Sequence, residues 1–276
     1  MSKRPLLRST SALIILAIFA LASCDLFATP EPDHFIFRRS FSFGVAYLTI
    51  TGYTGDARGR RIVIPQSYNG IPVTHIGPGA FSNRGIASVY IPYGVTTILS
   101  GAFQSNQLSE LHFPNSVRDI RSSAFQHNKL AKVALSPRVS VGREAFANNY
   151  LEYIHIPGTH SIQDNAFANN RLKYISFAER AFTIFGDKVF ENNFFEAVII
   201  PPGIDLYFNR IFAGNPLTSI TVRADIDFTL KYNDRVLAEF IPIGYKFEEF
   251  YIASGRQAGT YVRTSATSTD WRLLEE

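Results

Sequence analysis

Cysteine is almost missing from this chain of 276 residues, which has 1, beside 1 Met and 1 Trp. One thiol cannot bridge itself, so a disulfide-stapled fold and a cysteine-rich zinc module are both excluded. Glycine, at 18, and proline, at 14, are too few for a collagen. Acidic side chains are absent before Asp25, and no Lys/Arg-rich run follows Arg8. The formal charge of +4 therefore sits mainly on Lys3, Arg4 and Arg8; without residues 1–23 there are 24 basic against 23 acidic groups. Nothing remains to build the clustered cationic face that a nucleic acid needs. Catalytic signatures are missing too: there is no G-x-S-x-G, no H-E-x-x-H and no G-x-x-x-x-G-K-[ST]. No enzyme activity, cofactor or metal is expected. What is present, 46% hydrophobic and 14% aromatic residues, is enough for a folded core.

The apolar stretch Ala12–Ala22 is far shorter than the roughly 20 residues that cross a bilayer. Behind a positive start it has the form of an export signal. Leu21-Ala22-Ser23-Cys24 then resembles the lipobox of bacterial lipoproteins. The resemblance implies cleavage between Ser23 and Cys24, a diacylglyceryl group on the Cys24 sulfur, and acylation of the new amino end by a fatty acid such as palmitate. Two or more chains anchor stably where one holds marginally. Residues 1–23 are then the signal, and 24–34, with Thr29-Pro30-Glu31-Pro32, an extended tether.

The remainder is periodic. Phe81, Phe103, Phe125, Phe146, Phe167, Phe190 and Phe212 follow one another at spacings of 22, 22, 21, 21, 23 and 22. Ala precedes the first five. Three residues after each Phe comes Asn106, Asn128, Asn149, Asn170, Asn193 or Asn215, with Arg84 the exception in the first unit. Eight and ten after it lie apolar pairs such as Val89 and Ile91, Leu111 and Phe113, Val133 and Leu135, or Ile154 and Ile156, a strand pattern closed by Pro92, Pro114, Pro157 and Pro201. Five before it comes another apolar residue, from Ile76 to Tyr207. One such unit cannot bury its own Phe, so neighbours must stack and place the seven rings in one core. The Asn side chains are expected to satisfy turn amides that would otherwise be buried unpaired.

This unit, L-x-x-[IV]-x-[IVF]-P-x-x-[VI]-x-x-I-x-x-x-A-F-x-x-N, resembles the BspA-like, treponemal class of bacterial leucine-rich repeats. Ile50-Thr51-Gly52-Tyr53-Thr54-Gly55 and Asn69-Gly70-Ile71-Pro72 resemble that family's N-terminal cap, and Gly255 to Tyr261 with Trp271 resemble a tail found after such arrays. Many relatives carry Cys where this chain uses Asn. The implied fold is a β-rich leucine-rich-repeat solenoid of seven repeats over 71–223, with a β cap over 35–70 and a strand, helix and hairpin cap over 224–276. The helix is expected around Phe247, Phe250 and Tyr251, ended by Gly255, and the hairpin from Tyr261-Val262-Arg263 and Trp271-Arg272-Leu273.

Between the apolar pairs, positions seven and nine after each Phe should point outward. They expose Tyr90, Glu110, His112, Lys132, Tyr153, His155, Tyr174 and Ser176, a mixture of aromatic body and polar tip suited to recognising a protein. His112 and His155 stand about two strand spacings apart, roughly 9.5 Å, too far to share a zinc ion. The resemblance implies a monomeric, non-catalytic binding module anchored to the membrane by lipid and facing outward from the cell envelope. Its ligand would be a host matrix component or another bacterial surface protein. The alternative is an assembly scaffold inside the envelope.

Overall fold

The computed structural model describes residues 32–158, 161–178, 183–201, 211–222, 231–232, 235–236, 255, 257–268 and 270–274. The signal sequence, Ser23, Cys24 and the expected helix at Phe247–Tyr251 lie outside them. Residues 32–276 form a compact unit distinct from 1–31. Among the described residues the only helix is one 3-10 turn, Pro32–His34, and no helix is long and apolar enough to cross a membrane.

Two strand columns run along the unit. Five residues before each Phe, the short strands Thr97–Ile98, Asp119–Ile120, Ser140–Val141, Ser161–Ile162 and Ile184–Phe185 follow Ile71–Ile76 in one parallel ladder. This sheet is continuous. Its apolar members Ile76, Ile98, Ile120, Val141, Ile162 and Phe185 all point into the core. The second column, after each Phe, is interrupted. It consists of Arg61–Val63, Ser88–Tyr90 and Glu110–His112, then Tyr153–Ile156 with Tyr174–Phe177, then Ala197–Ile200 with Ser219–Val222. The strand expected at Val133–Leu135 does not form. The turn that follows keeps the common register, since Val139 N donates to Ser136 O as Val117 N does to Pro114 O, and Leu135 is still buried; only the ladder bonds between Val133–Leu135 and its neighbours are missing. Leu111, Phe113 and Val133 beside this gap are half-buried, not buried as the repeat pattern implies.

Between the columns the seven rings stack. Successive centroids are 5.0, 5.4, 5.3, 5.4, 5.8 and 5.5 Å apart from Phe81 to Phe212. Planes are within 8° of parallel as far as Phe167. They tilt by 18° and 17° at the last two steps, where Val189 and Ile211 replace the smaller Ala ahead of the ring. The first six rings are fully buried, and Phe212, at the end, is half-buried.

Beside the rings runs a ladder of amides. Asn149 Nδ2 donates to the carbonyl of its own Phe146 (3.1 Å) and to that of Phe125 in the coil before (3.0 Å), while its Oδ1 accepts from Leu130 N (3.1 Å). Asn106, Asn128, Asn170, Asn193 and Asn215 repeat the arrangement. Each interior Phe carbonyl thus accepts from two successive Asn side chains. Arg84 takes this place in the first unit, where no ring of the series precedes Phe81 and the Phe81 carbonyl accepts from Asn106 of the next coil. The residues two before and two after Phe146, Glu144 and Asn148, have φ of 56° and 58°. The equivalent positions around Phe167, Asn165 and Asn169, have φ of 55° and 55°. Asn suits this left-handed backbone better than most side chains.

Both ends are closed by antiparallel strands. Phe35–Ser42 pairs with Val45–Tyr53, which continues into the continuous sheet by pairing with Ile71–Ile76. Phe35 and Tyr53 lay their rings 6.2 and 5.8 Å from Phe81, ending the column. At the other end Gly259–Val262 pairs with Ser219–Val222 and with Arg272–Leu273, the expected hairpin. Arg263 lies over the Trp271 ring at 4.8 Å and donates through Nε to Leu217 O.

His75, next to the N-terminal cap, gives the fold a pH dependence. Its ring packs 5.0 Å from Tyr47, and Nδ1 is 2.8 Å from Thr74 Oγ1. Burial lowers its pKa below the ordinary 6.5, against a weaker upward pull from Asp119. The unfolded chain therefore binds this proton more readily than the folded one. The neutral ring's contribution to stability is present above about 6.5 and is lost as pH falls through the lower folded value. His75→Gln should flatten that part of the profile, seen as a smaller fall in melting temperature between neutral and mildly acidic buffer.

Candidate functional site

The outward residues of the interrupted sheet are the candidate site. Alternation along Tyr153–Ile156 turns Ile154 and Ile156 inward and leaves Tyr153 and His155 exposed. Tyr174–Phe177 lies beside it in parallel, with Tyr153 opposite Tyr174 and His155 opposite Ser176. Ser176 Oγ is 2.6 Å from Tyr153 Oη and 2.7 Å from His155 Nδ1. One hydroxyl can serve both: it accepts from the Tyr153 O–H and donates to His155 Nδ1 when that ring carries its proton on Nε2. The three polar tips hold one another in place. The ring faces stay in solvent, with Tyr153 50% and Tyr174 69% exposed.

The eight residues expected at this face do not form one strip. Tyr90 and His112 are partners in the first segment, beside Ser88 and Glu110. Tyr153, His155, Tyr174 and Ser176 form the second. Lys132 is exposed but lies in the coil that leaves the ladder, so it separates the two segments and joins neither. Ser176 is half-buried, not exposed, because the Tyr153 and His155 side chains meet over it.

A third column escaped the sequence reading. Four residues after the Phe stand Tyr150, Arg171 and Phe194, all exposed, with the Arg171 guanidinium 4.1 Å over the Tyr150 ring. Counting at plus four, as at plus seven and nine, would have found them. The Ser176–His155 distance is that of a nucleophile and its base, yet Tyr153 already engages the same oxygen. Among the described residues no carboxylate is bonded to the His155 ring, and no group of three His, Cys, Asp or Glu could hold a metal ion. The arrangement offers exposed aromatic rings with polar tips, a surface suited to binding.

Comparison with known proteins follows the same lines. The sequence pattern of the BspA type leucine rich repeat region matches in 6 copies, over residues 74–193 and 136–232, more than half of the chain. The chain belongs to this family. Its fold also resembles that of a leucine rich cell surface protein from Faecalibacterium prausnitzii, at 24% identity and a TM-score of 0.57, over 77% of this chain and 58% of that one. A leucine-rich repeat protein from Bacteroides ovatus aligns at 21% identity and a TM-score of 0.49, over 74% of this chain and 68% of its own. A leucine rich repeat protein of T. pallidum aligns at 20% identity and 0.47, over 59% of this chain and 88% of its own. The chain thus spans little more than half of the Faecalibacterium protein. No curated protein matches. BspA-type repeats form solenoids of the kind that serve as scaffolds for binding other proteins, typically without catalysis.

Proposed function

We propose that this protein is a lipid-anchored binding module on the outer surface of a bacterial envelope, which docks a protein ligand on its interrupted sheet. The observation that carries the reading is the Tyr153–Ser176–His155 hydrogen-bonded cluster beside Tyr174. It positions aromatic surface that the core does not use, and such surface with polar tips is enriched where proteins recognise one another. The anchor is supported by Leu21-Ala22-Ser23-Cys24 after the short apolar leader. Ligands of the reading are host matrix components or other surface proteins, held by attachment and not turned over.

The test is Tyr153→Ser combined with Tyr174→Ser in the domain from Asp25 onward. Both rings are at least half exposed, so stability should change by no more than about 1 kcal/mol per site, the range of an exposed cross-strand pair. Capture of purified matrix proteins, and of partners from envelope extract, should fall to the level of an unrelated solenoid. Unchanged capture, or a collapse of folding, would remove the site.

A further inference from the structure

The N-terminal hairpin turns through two residues, Phe43 and Gly44, since Ser42 pairs directly with Val45. Their φ angles are 48° and 78°, the backbone of the tight mirror-image turn whose twist matches the strands. That turn favours Asn, Asp or Gly at its first position, and a bulky side chain there is disfavoured. Phe43 recovers nothing inside the protein, because its ring is wholly exposed, at 106%. Phe41 and Val45 beside it are 64% and 67% exposed. Phe41 pairs with Ala46 while Val45 pairs with Ser42, so the two point to opposite faces of the ribbon and the apex is apolar on both.

Behind the apex the charge is of one sign. From Phe35 to Tyr53 the hairpin has no Asp or Glu, and its Arg38 and Arg39 are exposed. The Arg39 guanidinium sits 5.0 Å over the Phe41 ring. An apolar wedge with cations set back from its point matches the layering of a bilayer with anionic headgroups, where rings enter the interface and guanidinium groups stay at the phosphates. We infer that the Phe41–Val45 tip is a membrane-contact wedge that inserts into an anionic lipid surface. It adds a second attachment to the anchor proposed above without depending on it.

The domain from Asp25 onward retains the whole described core and can be mixed with vesicles of phosphatidylcholine and phosphatidylglycerol in equal parts, or of phosphatidylcholine alone. It should sediment with the mixed vesicles and be released by salt. Phe43→Trp should shift its emission to the blue on binding, over the constant signal of the buried Trp271. The deciding variant is Phe43→Asn, which supplies the residue the turn prefers. Its melting temperature should hold or rise while vesicle affinity falls at least about tenfold. Arg38→Ser with Arg39→Ser should abolish the preference for mixed vesicles. No binding by the parent domain, or equal binding by Phe43→Asn, overturns the inference; so does an envelope protein captured through Phe43 when vesicles are not. Palmitate labelling at Cys24 reads the anchor separately, so failure of one attachment is distinguished from failure of the other.

Discussion

Replacing Phe146 with Ala is expected to destabilise the domain by about 3–5 kcal/mol, enough to unfold a marginal protein. The ring is fully buried and stacked on both sides, 5.3 Å from Phe125 and 5.4 Å from Phe167. Its removal therefore forfeits two aromatic contacts of about 0.5–1.5 kcal/mol each within that total and leaves a void that flanking strands cannot close. A solenoid's stability is approximately a sum of coil and nearest-neighbour terms. Loss at the centre also uncouples the coils on either side, so the denaturant transition should broaden as well as shift. Phe212→Ala, at the half-buried end with one stacked neighbour, should cost less, about 2 kcal/mol. Equal costs at both sites would contradict a single column in which position decides energy. Equilibrium unfolding in urea, followed by circular dichroism, measures both.

Asn149→Ala should cost about 2–5 kcal/mol, although it removes no apolar surface. Leu130 N would lose the side-chain acceptor it has in the core. Phe125 and Phe146 carbonyls would each retain a single donor, from Asn128 and Asn170 respectively. One orphaned N–H carries about 1–3 kcal/mol, and each halved carbonyl about 0.5–1 kcal/mol more. Asn148→Ala, one residue earlier, touches none of these bonds. Its cost is the left-handed backbone at φ 58°, of order 1 kcal/mol. The contrast between adjacent asparagines separates a hydrogen-bonding role from a conformational one. Hydrogen exchange should show Leu130 N losing protection in Asn149→Ala and keeping it in Asn148→Ala.

The outward residues expected at positions seven and nine after each Phe are divided between two sheet segments, with Lys132 in the gap. The periodic pattern assigns Val133 and Leu135 to the same strand slot as Val89 and Ile91, and every residue type there is apolar. Whether that segment pairs is decided by backbone hydrogen bonds to the adjoining coils, which residue type does not report: Leu135 is buried in its slot, yet no ladder forms there. Conversely, the residues five before each Phe look like isolated apolar positions in sequence, yet they form the sheet that runs unbroken. Two-residue strands such as Thr97–Ile98 leave no alternation to read. Their pairing comes from the stacking of coils, which repeats the same backbone position at strand spacing.

What the sequence determined by itself is the repeat: the spacing of seven Phe, the Asn that follows six of them, and the need for stacking that no single unit escapes. These are legible because they are local and periodic, and because one coil's burial requires the next. The tertiary structure alone decided which column became the continuous sheet, where the other broke, and that Ser176 joins Tyr153 to His155. It also decided that Phe43 stands at a strained, solvent-facing apex. Each of these depends on the relative placement of residues from different coils or strands, which neither a composition nor a period encodes.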